Sequence, residues 1–215
     1  MKERRAIFEV IGVLERIHDK RISRTKRLIR DALTELMEEK GFEGVSVRNL
    51  TEKAKINRGT FYLHYHDKYD LLEQSIEEIL QGVEKVVKDV NPIEALSYIS
   101  KDEPYPIIIE LFEFFKENHR FIKVLLGANG EASFQAKLKD LMRGKFFYLL
   151  SEIVKNTEGM KVPIEFFLSY VSSAHLGIIQ QWLEGGMKES PSEITLITTR
   201  LTLLGPGNAA GLKNE

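Results

Sequence analysis

The sequence predicts an all-α protein of about nine helices, with a possible extra helix at the N-terminus. Apolar residues recur at helical spacing through most of the chain, and no segment alternates between apolar and polar residues as a half-buried strand does. Gly, Pro and Asn residues separate the helical segments. Because 43% of the 215 residues are hydrophobic, the chain can bury a core of one domain or two.

The N-terminal part of the chain begins with two predicted helices. Residues 1–20 predict a short amphipathic extension, whose role the sequence leaves open, from apolar residues at Ile7, Val10, Ile11, Leu14 and Ile17. The next helix spans about residues 23–40 and ends at Gly41. Its predicted buried stripe consists of Leu28, Ile29, Ala32, Leu33, Leu36 and Met37.

Residues 46–64 predict two short helices joined by a tight turn. Ser46 can cap the first helix, because its hydroxyl can accept a hydrogen bond from an otherwise unpaired backbone N–H. Ile56 closes the turn, and Asn57 can cap the second helix, which should bury Phe61. The outward side chains of the second helix suit base edges and phosphate oxygens in a major groove, and they are Arg58, Thr60, Tyr62 and His64. This pattern predicts a helix-turn-helix that reads DNA.

The same stretch resembles the DNA-binding domain of the TetR family of bacterial transcription regulators. The family pattern of Gly-Thr-aromatic-Tyr-x-His-aromatic-x-x-Lys is matched by Gly59, Thr60, Phe61, Tyr62, His64, Tyr65 and Lys68. The match covers roughly residues 23–72. Many members have Gly in the turn where this sequence has Lys55, so we expect a left-handed backbone there at a cost of about 1 kcal/mol.

The resemblance implies DNA-binding roles for nine residues. Arg58 and Thr60 should face base edges, while Asn57 and Gly59 let the start of the helix lie close in the groove. The expected phosphate contacts are Tyr62, His64 and Lys68, joined by Thr25 and Ser46 at other helix starts. Phe61 and Tyr65 should belong to the core.

Charge is divided unevenly along the chain. Residues 1–70 contain 16 Lys and Arg against 12 Asp and Glu, a net charge of +4, whereas residues 71–215 contain 15 against 20, a net charge of −5. Such a split also arises by chance in solvated surfaces. Joined to the helix-turn-helix pattern, it favours DNA binding by the N-terminal part.

The remainder of the chain predicts six further helices. Asp67, with Asp70 three residues on, opens a helix that continues to Val90 and is ended by Asn91 and Pro92. Residues 91–105 are loosely patterned, and we expect a junction there. Later helices span about 106–118, 118–126, 131–156, 163–184 and 190–204, with breaks at Gly127, Asn129, Gly130, Gly185 and Gly186 and a capping box from Ser190 to Glu193.

These elements divide the chain into four parts. We predict an N-terminal extension at 1–20, a helix-turn-helix DNA-binding domain at 21–72, a helical regulatory and dimerisation domain at 73–204, and a disordered tail at 205–215. The absence of cysteine excludes disulfides and thiolate metal sites, which fits a reducing cytoplasm. No apolar run approaches the roughly 18 residues of a membrane span.

The last two helices suggest how the protein assembles. Small residues alternate with large apolar ones between Phe166 and Trp182, which would let another helix approach closely, although packing within one subunit explains the pattern equally well. Helix-turn-helix proteins generally read two-fold symmetric sites as dimers. The resembled family commonly forms a four-helix interface from its last two helices, which favours a homodimer. The expected interface residues are Ser173, Gly177, Gln180, Trp182, Leu196 and Leu203.

The C-terminal part is rich in aromatic residues. Aromatic residues at helical spacing more often form a core than a ligand wall, and an isolated histidine such as His175 is more often a satisfied core group. The resemblance implies an inducer cavity in this region. Binding of an inducer there would move the two helix-turn-helix domains of the dimer apart and weaken DNA binding. The candidate ligand-binding residues are Phe112, Phe115, His119, Phe147, Tyr170 and His175.

The predicted function is a TetR-like transcription regulator, and the commoner mode of such a protein is repression. It would bind a palindromic operator in double-stranded DNA as a homodimer and be released by a small apolar or amphipathic effector. The alternative is a coactivator or scaffold that binds another protein through its C-terminal domain. Catalysis is disfavoured, because the sequence has no glycine-rich phosphate loop, no HExxH and no paired acidic motif, and the histidines at 64 and 66 diverge. We therefore expect no cofactor, no metal and no membrane partner.

Overall fold

The computed structural model describes residues 2–127, 130–153 and 160–211, with the backbone alone for residues 2–20. The described residues form ten helices and no strand, which confirms the all-α prediction. The chain divides into two compact units, Met1–Ser75 and Ile76–Glu215. The predicted break at Asn129, the predicted helix end at 154–156 and the last four residues of the predicted tail lie outside the described residues.

The helices follow one another with short connections. The first unit contains α1 (Lys2–Lys40), α2 (Val47–Lys53), α3 (Arg58–Tyr62) and the first part of α4 (Lys68–Val87). The second unit contains the rest of α4, then α5 (Pro92–Ser100), α6 (Pro106–Glu117), α7 (His119–Leu126), α8 (Ala132–Ile153), α9 (Ile164–Glu184) and α10 (Pro191–Ala209).

The first helix is longer than the sequence pattern predicts. The expected extension and the expected helix at 23–40 are one continuous helix, because neither Gly nor Pro occurs between residues 13 and 40 to interrupt the backbone hydrogen bonds. Its end is as predicted: Gly41 has φ 70° and donates its N–H to the carbonyl of Met37 at 3.0 Å.

The core of the first unit is apolar and fully enclosed. Its innermost side chains are Ile29, Leu33, Leu50, Phe61 and Leu71, each with no exposed surface. Leu28 was expected in the buried stripe but is 40% exposed. It is about 100° around the helix from Ile29, and that rotation carries it past the edge of the core face.

The core of the second unit is built around aromatic residues of α6 and α9. Trp182 is buried, and its ring meets Phe112 edge-on with centroids 5.3 Å apart. The indole N–H donates to the carbonyl of Glu189 at 2.9 Å. Gly82 of α4 has no side chain where the ring of Phe114 packs, and a Cβ there would overlap that ring.

Two segments of the second unit contain more helix than the sequence pattern indicates. The expected junction at 91–105 contains α5, which Asn91 caps by accepting hydrogen bonds from the backbone N–H groups of Ile93 and Glu94. The expected tail continues as helix to Ala209 after a break at Gly205, where φ is 72°. The predicted capping box at Ser190 and Glu193 is confirmed.

Candidate nucleic-acid interface and effector cavity

The start of α2 is held by its predicted cap. The Ser46 hydroxyl accepts the N–H of Asn49 at 3.2 Å and donates to the side-chain oxygen of Asn49 at 2.8 Å. Lys40, at the end of α1, donates to the same oxygen at 2.8 Å. The cap therefore also fixes the angle at which the chain enters the helix-turn-helix.

The turn between α2 and α3 is tight and partly strained. Lys55 has φ 53°, the left-handed conformation expected at this position of the turn. The N–H of Ile56 closes the turn on the carbonyl of Thr51 at 3.0 Å. On the other side of α2, Lys53 binds Glu39 at 2.6 Å and Glu35 at 3.0 Å, and these hydrogen bonds raise the pKa of Lys53. The ion pairs fasten α2 to α1 and thereby position α3.

One buried ring anchors α3 and leaves its other side exposed. Phe61 is fully buried and Tyr65 is nearly so, with ring centroids 5.7 Å apart, as predicted for core residues. Arg58, Gly59 and Tyr62 are exposed, while Thr60 and His64 are half-buried. Arg58 donates to the Tyr62 hydroxyl at 3.2 Å, so its guanidinium is held along the exposed face. No other atom lies within 4 Å of the position that a Cβ at Gly59 would occupy, so the surface around Gly59 is open.

Two of the predicted capping positions differ from expectation. Asn57 has the extended backbone of an N-cap residue, but its side chain makes no capping hydrogen bond. Thr25 does not stand at a helix start, because α1 begins at Lys2, and its hydroxyl instead donates to the carbonyl of Arg21 at 3.0 Å. The predicted phosphate contact of Thr25 depended on a helix that begins near residue 23. Because α1 is continuous through this position, Thr25 has no free backbone N–H groups of a helix start beside it.

Two predicted phosphate contacts already interact with other parts of the protein. Burial, together with the charge of Lys26, lowers the pKa of His64 below its ordinary value. Lys68 donates to the backbone carbonyls of Phe42 and Glu43, each at 3.2 Å, and its side chain is 14% exposed. Lys68 therefore joins the start of α4 to the loop after α1 before any DNA is present.

Sequence reasoning missed Leu63 at the end of α3. This residue is 82% exposed and directly follows Tyr62. An apolar side chain in that position can contact the methyl group of thymine or a sugar. Phe61 faces the core, and Leu63 follows it by two residues, a rotation of about 200° around the helix that could have placed Leu63 outside.

The second unit encloses a cavity of about 210 Å³. Its wall is formed by residues of α4, α5, α6, α8, α9 and α10 and is mostly apolar. The lining includes Val83, Val87, Ile99, Tyr105, Phe112, Phe115, Met142, Lys145, Phe146, His175, Ile179, Thr198, Thr202 and Leu203. Pockets of this composition suit apolar or amphipathic small molecules.

A short polar chain crosses the cavity wall between α9 and α10. His175 Nδ1 lies 2.8 Å from the carbonyl of Val171, and because a carbonyl only accepts, this nitrogen carries the proton. Its Nε2 lies 3.2 Å from the oxygen of the Thr202 hydroxyl, which donates its proton to the carbonyl of Thr198 at 2.7 Å, and the ring centroid lies 4.7 Å from that of Phe146. Burial lowers the pKa of His175, and the hydrogen bond to Val171 offsets this in part.

Among the described residues of the lining, Lys145 is the one lysine or arginine. Its side chain is half-buried, and across the described chain no carboxylate pairs with its ammonium. Lys145, Phe146 and Thr202 were not singled out in the sequence. Lys145 and Phe146 directly precede Phe147, and only the rotation of α8 distinguishes which of the three faces inward.

Half of the predicted ligand-binding residues line the cavity. Phe112, Phe115 and His175 do so, whereas Phe147 and Tyr170 are more than half exposed on the surface. His119 lies at the start of α7, where its Nδ1 faces the carbonyl of Lys116 at 2.8 Å, outside the lining.

The predicted dimer residues occupy different environments. Ser173 and Gly177 are exposed on one stripe of α9 together with Phe166 and Tyr170, and Leu196 of α10 is half-buried. By contrast, Trp182 is buried within its own unit, and Gln180 donates to the carbonyl of Leu126 at 3.0 Å. Leu203 lines the cavity.

Two negative observations limit the chemistry of the described residues. They include no group of three or more His, Cys, Asp or Glu side chains placed to hold a metal ion. Among the helices described, none is both long and apolar enough to cross a membrane. A helix-turn-helix unit followed by a helical unit is the architecture of a class of transcription regulators.

Two family models match the chain, one in each unit. The model described as bacterial regulatory proteins, tetR family, matches residues 29–74. The model described as transcriptional regulator C-terminal region matches residues 102–203. The chain therefore belongs to the TetR family of bacterial transcription regulators, which are not enzymes.

Two relatives with assigned names agree with this assignment. YxbF of Bacillus subtilis (strain 168), named an uncharacterized HTH-type transcriptional regulator, is 25% identical over 169 residues, which cover 78% of this chain and 42% of that protein. The HTH-type transcriptional regulator YttP of the same organism is 23% identical over 158 residues, 69% of this chain and 74% of that protein. The chain thus spans less than half the length of YxbF.

Two solved structures show the same fold. A TetR transcriptional regulator from Streptococcus agalactiae 2603V has a TM-score of 0.59 at 20% identity, covering 87% of this chain and 98% of that one. FadR from Bacillus subtilis, in complex with stearoyl-CoA, has a TM-score of 0.57 at 16% identity, covering 83% and 98%. At these identities the likeness concerns the fold alone.

Proposed function

We propose that this protein is a repressor that binds a palindromic operator as a homodimer and leaves it when an amphipathic effector fills the cavity. The observation that carries the proposal is the exposed face of α3, where Arg58 and Tyr62 stand opposite the buried Phe61. On an exposed helix anchored by a buried ring, a guanidinium suits base edges in the major groove and a phenol suits the phosphate oxygens beside them.

Different residues recognise the base sequence and position the protein on the DNA backbone. Arg58 and Thr60 read bases, with Leu63 adding an apolar contact. Asn57, Gly59, Tyr62, His64 and Ser46 hold the sugar-phosphate backbone, which fixes register but carries no sequence information. The net charge of +4 over residues 1–70 favours approach to the duplex.

Dimerisation is supported by the surface of α9 and α10. Gly177 has open space where a Cβ would be, and Ser173 lies one turn before it on the same exposed stripe. Phe166 and Tyr170 extend this stripe of α9 with large exposed side chains. On α10, Leu201 and Leu204 also expose apolar surface. Small residues flanked by apolar ones allow a second pair of helices to pack closely, and a two-fold axis would then present two copies of α3 to a palindrome.

The cavity supports an effector with one apolar and one polar part. Its apolar wall would take the first, while Lys145 and the His175–Thr202 pair would face the second. FadR, which shares the fold, is seen with stearoyl-CoA, itself amphipathic. The effector must bind the DNA-incompetent arrangement more tightly, because equal affinity for both arrangements shifts neither.

Helix α4 provides a physical route from the cavity to the helix-turn-helix. It begins at Lys68 in the first unit and contributes Val83 and Val87 to the cavity wall in the second. A rigid helix transmits a displacement at one end to the other, so a ligand that pushes on Val83 or Val87 can move Lys68 and the loop attached to it.

A mobility-shift experiment tests the proposal. Duplexes are selected from random DNA by the purified protein, and the consensus is then bound by the wild type and by Arg58→Ala. The proposal expects a palindromic consensus and a shift that depends on Arg58. Failure to select any duplex at low salt would reject it, and binding that requires a second protein would instead indicate a coactivator.

A further inference from the structure

The wall of the cavity carries an ion pair that the proposed function leaves unused. Arg200 of α10 binds Asp102, which follows α5, in a bidentate manner: Nε donates to Oδ1 at 3.0 Å and Nη2 donates to Oδ2 at 2.6 Å. Ile99 and Tyr105, before and after Asp102 in the chain, line the cavity. So does Thr199, beside Arg200. The ion pair therefore joins two parts of the cavity wall that are 98 residues apart in sequence.

The backbone at Asp102 has a conformation that favours glycine. Asp102 has φ 55° and directly follows Lys101, the C-cap of α5. Its N–H donates to the carbonyl of Ile99 at 3.1 Å, and the N–H of Glu103 donates to that of Tyr98 at 3.0 Å, which is the pattern of a Schellman motif. Glycine adopts this conformation without strain, whereas aspartate adopts it at a cost. The turn itself thus does not require the carboxylate, which binds Arg200.

The cavity reaches the surface between α8 and α10. Among its lining residues, Tyr148 of α8 and Leu203 of α10 are 47% and 48% exposed. Helix α5 connects these two helices, because it packs against α8 and because Asp102 at its end is bound to Arg200 of α10. The ion pair therefore helps to set the distance between α8 and α10 at the mouth of the cavity.

The strength of the ion pair suits a contact that opens and closes. The side chains of Asp102 and Arg200 are both exposed. Exposed ion pairs are screened by water and salt, and they change an equilibrium by at most about five-fold. The left-handed backbone of Asp102 offsets part of that gain. Such a contact breaks more readily than the apolar packing that forms the rest of the wall.

We propose that the Asp102–Arg200 pair is a clasp on the mouth of the cavity, and that the effector enters and leaves when the pair opens. The inference rests on the proposed function, because it takes the cavity as the effector site. While the pair is closed, α10 is held to the end of α5 and the mouth stays narrow. When it opens, α10 can move away from α8 and an amphipathic ligand can pass.

The single tryptophan of the chain can report ligand exchange. Trp182 is buried, and its ring packs against Phe112, which lines the cavity. The probe is ω-bromodecanol, a neutral amphipathic molecule whose bromine quenches nearby indole fluorescence. Stopped-flow quenching gives its association rate, and displacement by excess decanol gives its dissociation rate.

The variants remove the ion pair from either side. They are Asp102→Gly, Arg200→Gln and the double variant. Asp102→Gly removes the carboxylate while glycine suits the left-handed backbone, so the turn is preserved. The control is Arg143→Gln, which breaks an ion pair with Asp140 that lies within α8 and outside the cavity lining. Circular dichroism and light scattering verify the fold and the mass of each variant.

Both single variants should exchange the probe about five-fold faster in each direction, with an unchanged dissociation constant. The two rates rise together because the clasp acts on the passage and not on the bound ligand. The double variant should be no faster than either single variant, since both remove the same contact. Added salt should accelerate the wild type and the control but not the three variants, because salt screens only an intact pair.

Each other outcome overturns the inference. If the probe quenches Trp182 but both single variants exchange it at the wild-type rates, the pair is no clasp, although the cavity still binds ligand. A rise in the dissociation rate alone would show that the pair supports the bound ligand and not its passage. If the effects of the two substitutions multiply in the double variant, the residues act independently. If the probe does not quench the wild type at all, the effector role of the cavity falls together with the clasp.

Discussion

The ammonium group of Lys68 is fixed on Phe42: Nζ lies 3.2 Å from the carbonyl oxygen of Phe42 and 4.6 Å from the centroid of its ring. A second carbonyl, that of Glu43, is also 3.2 Å away. Two of the three donors of this lysine are therefore used inside the protein. Lys68, to which the family resemblance assigns a phosphate contact, therefore also joins the start of α4 to the loop that follows α1.

Replacing Lys68 with alanine should lower stability more than it changes the salt dependence of DNA binding. Two backbone carbonyls, of which that of Phe42 is part-buried and that of Glu43 is exposed, would lose a charged donor, so we expect the free energy of unfolding to fall by about 1 kcal/mol. Urea denaturation measures this, with Lys137→Ala as the control. A phosphate role alone would leave stability unchanged and reduce the salt slope by about one, which would contradict our expectation.

Replacing Arg58 with alanine should relax sequence preference. Loss of a bidentate base contact costs about 1 to 3 kcal/mol on the selected operator and nothing on unrelated duplexes. Competition anisotropy with operator and random duplexes measures both. Ser46→Gly, which removes the side chain of a backbone-positioning residue, serves as the comparison, and an equal loss on every sequence for Arg58→Ala would refute its role in readout.

Arginine at Gly177 should break the dimer. Its Cβ has open space within the subunit, so a long charged side chain there is tolerated in the fold and projects from the exposed stripe of α9. Light scattering should give a mass near the 24.7 kDa of one chain for Gly177→Arg. Gly144→Arg, at an equally open glycine of α8, should remain dimeric. A wild type that is itself monomeric at micromolar concentration would end the dimer proposal.

Removing the charge of Lys145 should separate anionic from neutral ligands of the cavity. Decanoate and decanol share a chain and differ in the head group. For Lys145→Met we expect decanoate to bind about 10-fold more weakly, the loss of roughly one charge-assisted hydrogen bond, with decanol unaffected. Calorimetric titration measures both, and Phe147→Ala, outside the cavity, is the control. Equal changes for the two ligands would exclude Lys145 as the head-group contact.

The second unit should gain stability as the pH rises from 5.5 to 7.5, in part through His175. Burial lowers the pKa of His175 below its value in the unfolded chain, so the unfolded state binds more protons in this range. Stability therefore rises with pH and is lost as the pH falls through the unfolded pKa. Urea denaturation at the two pH values should show a smaller gain for His175→Gln than for the wild type. An identical gain would mean that His175 does not contribute.

Local sequence signals were sufficient for most of the fold and for the DNA-reading element. Helical periodicity, the cap at Ser46, the stop at Gly41 and the capping box at Ser190 each act through neighbouring residues, so a single sequence contains them. The burial of Phe61 and Tyr65 followed from the same short-range pattern.

Tertiary packing decided what periodicity leaves open. Where several aromatic residues occur close together on a helix, their spacing alone does not say which of them faces the interior. The rotation of α8 and α9 in the folded protein places Phe146 and Trp182 inside and leaves Phe147 and Tyr170 exposed. Likewise, the partner of Lys68 is a loop 26 residues away, which no local spacing can specify. Contacts between residues distant in sequence depend on how whole helices pack, and that information is carried by the assembled core and not by any one segment.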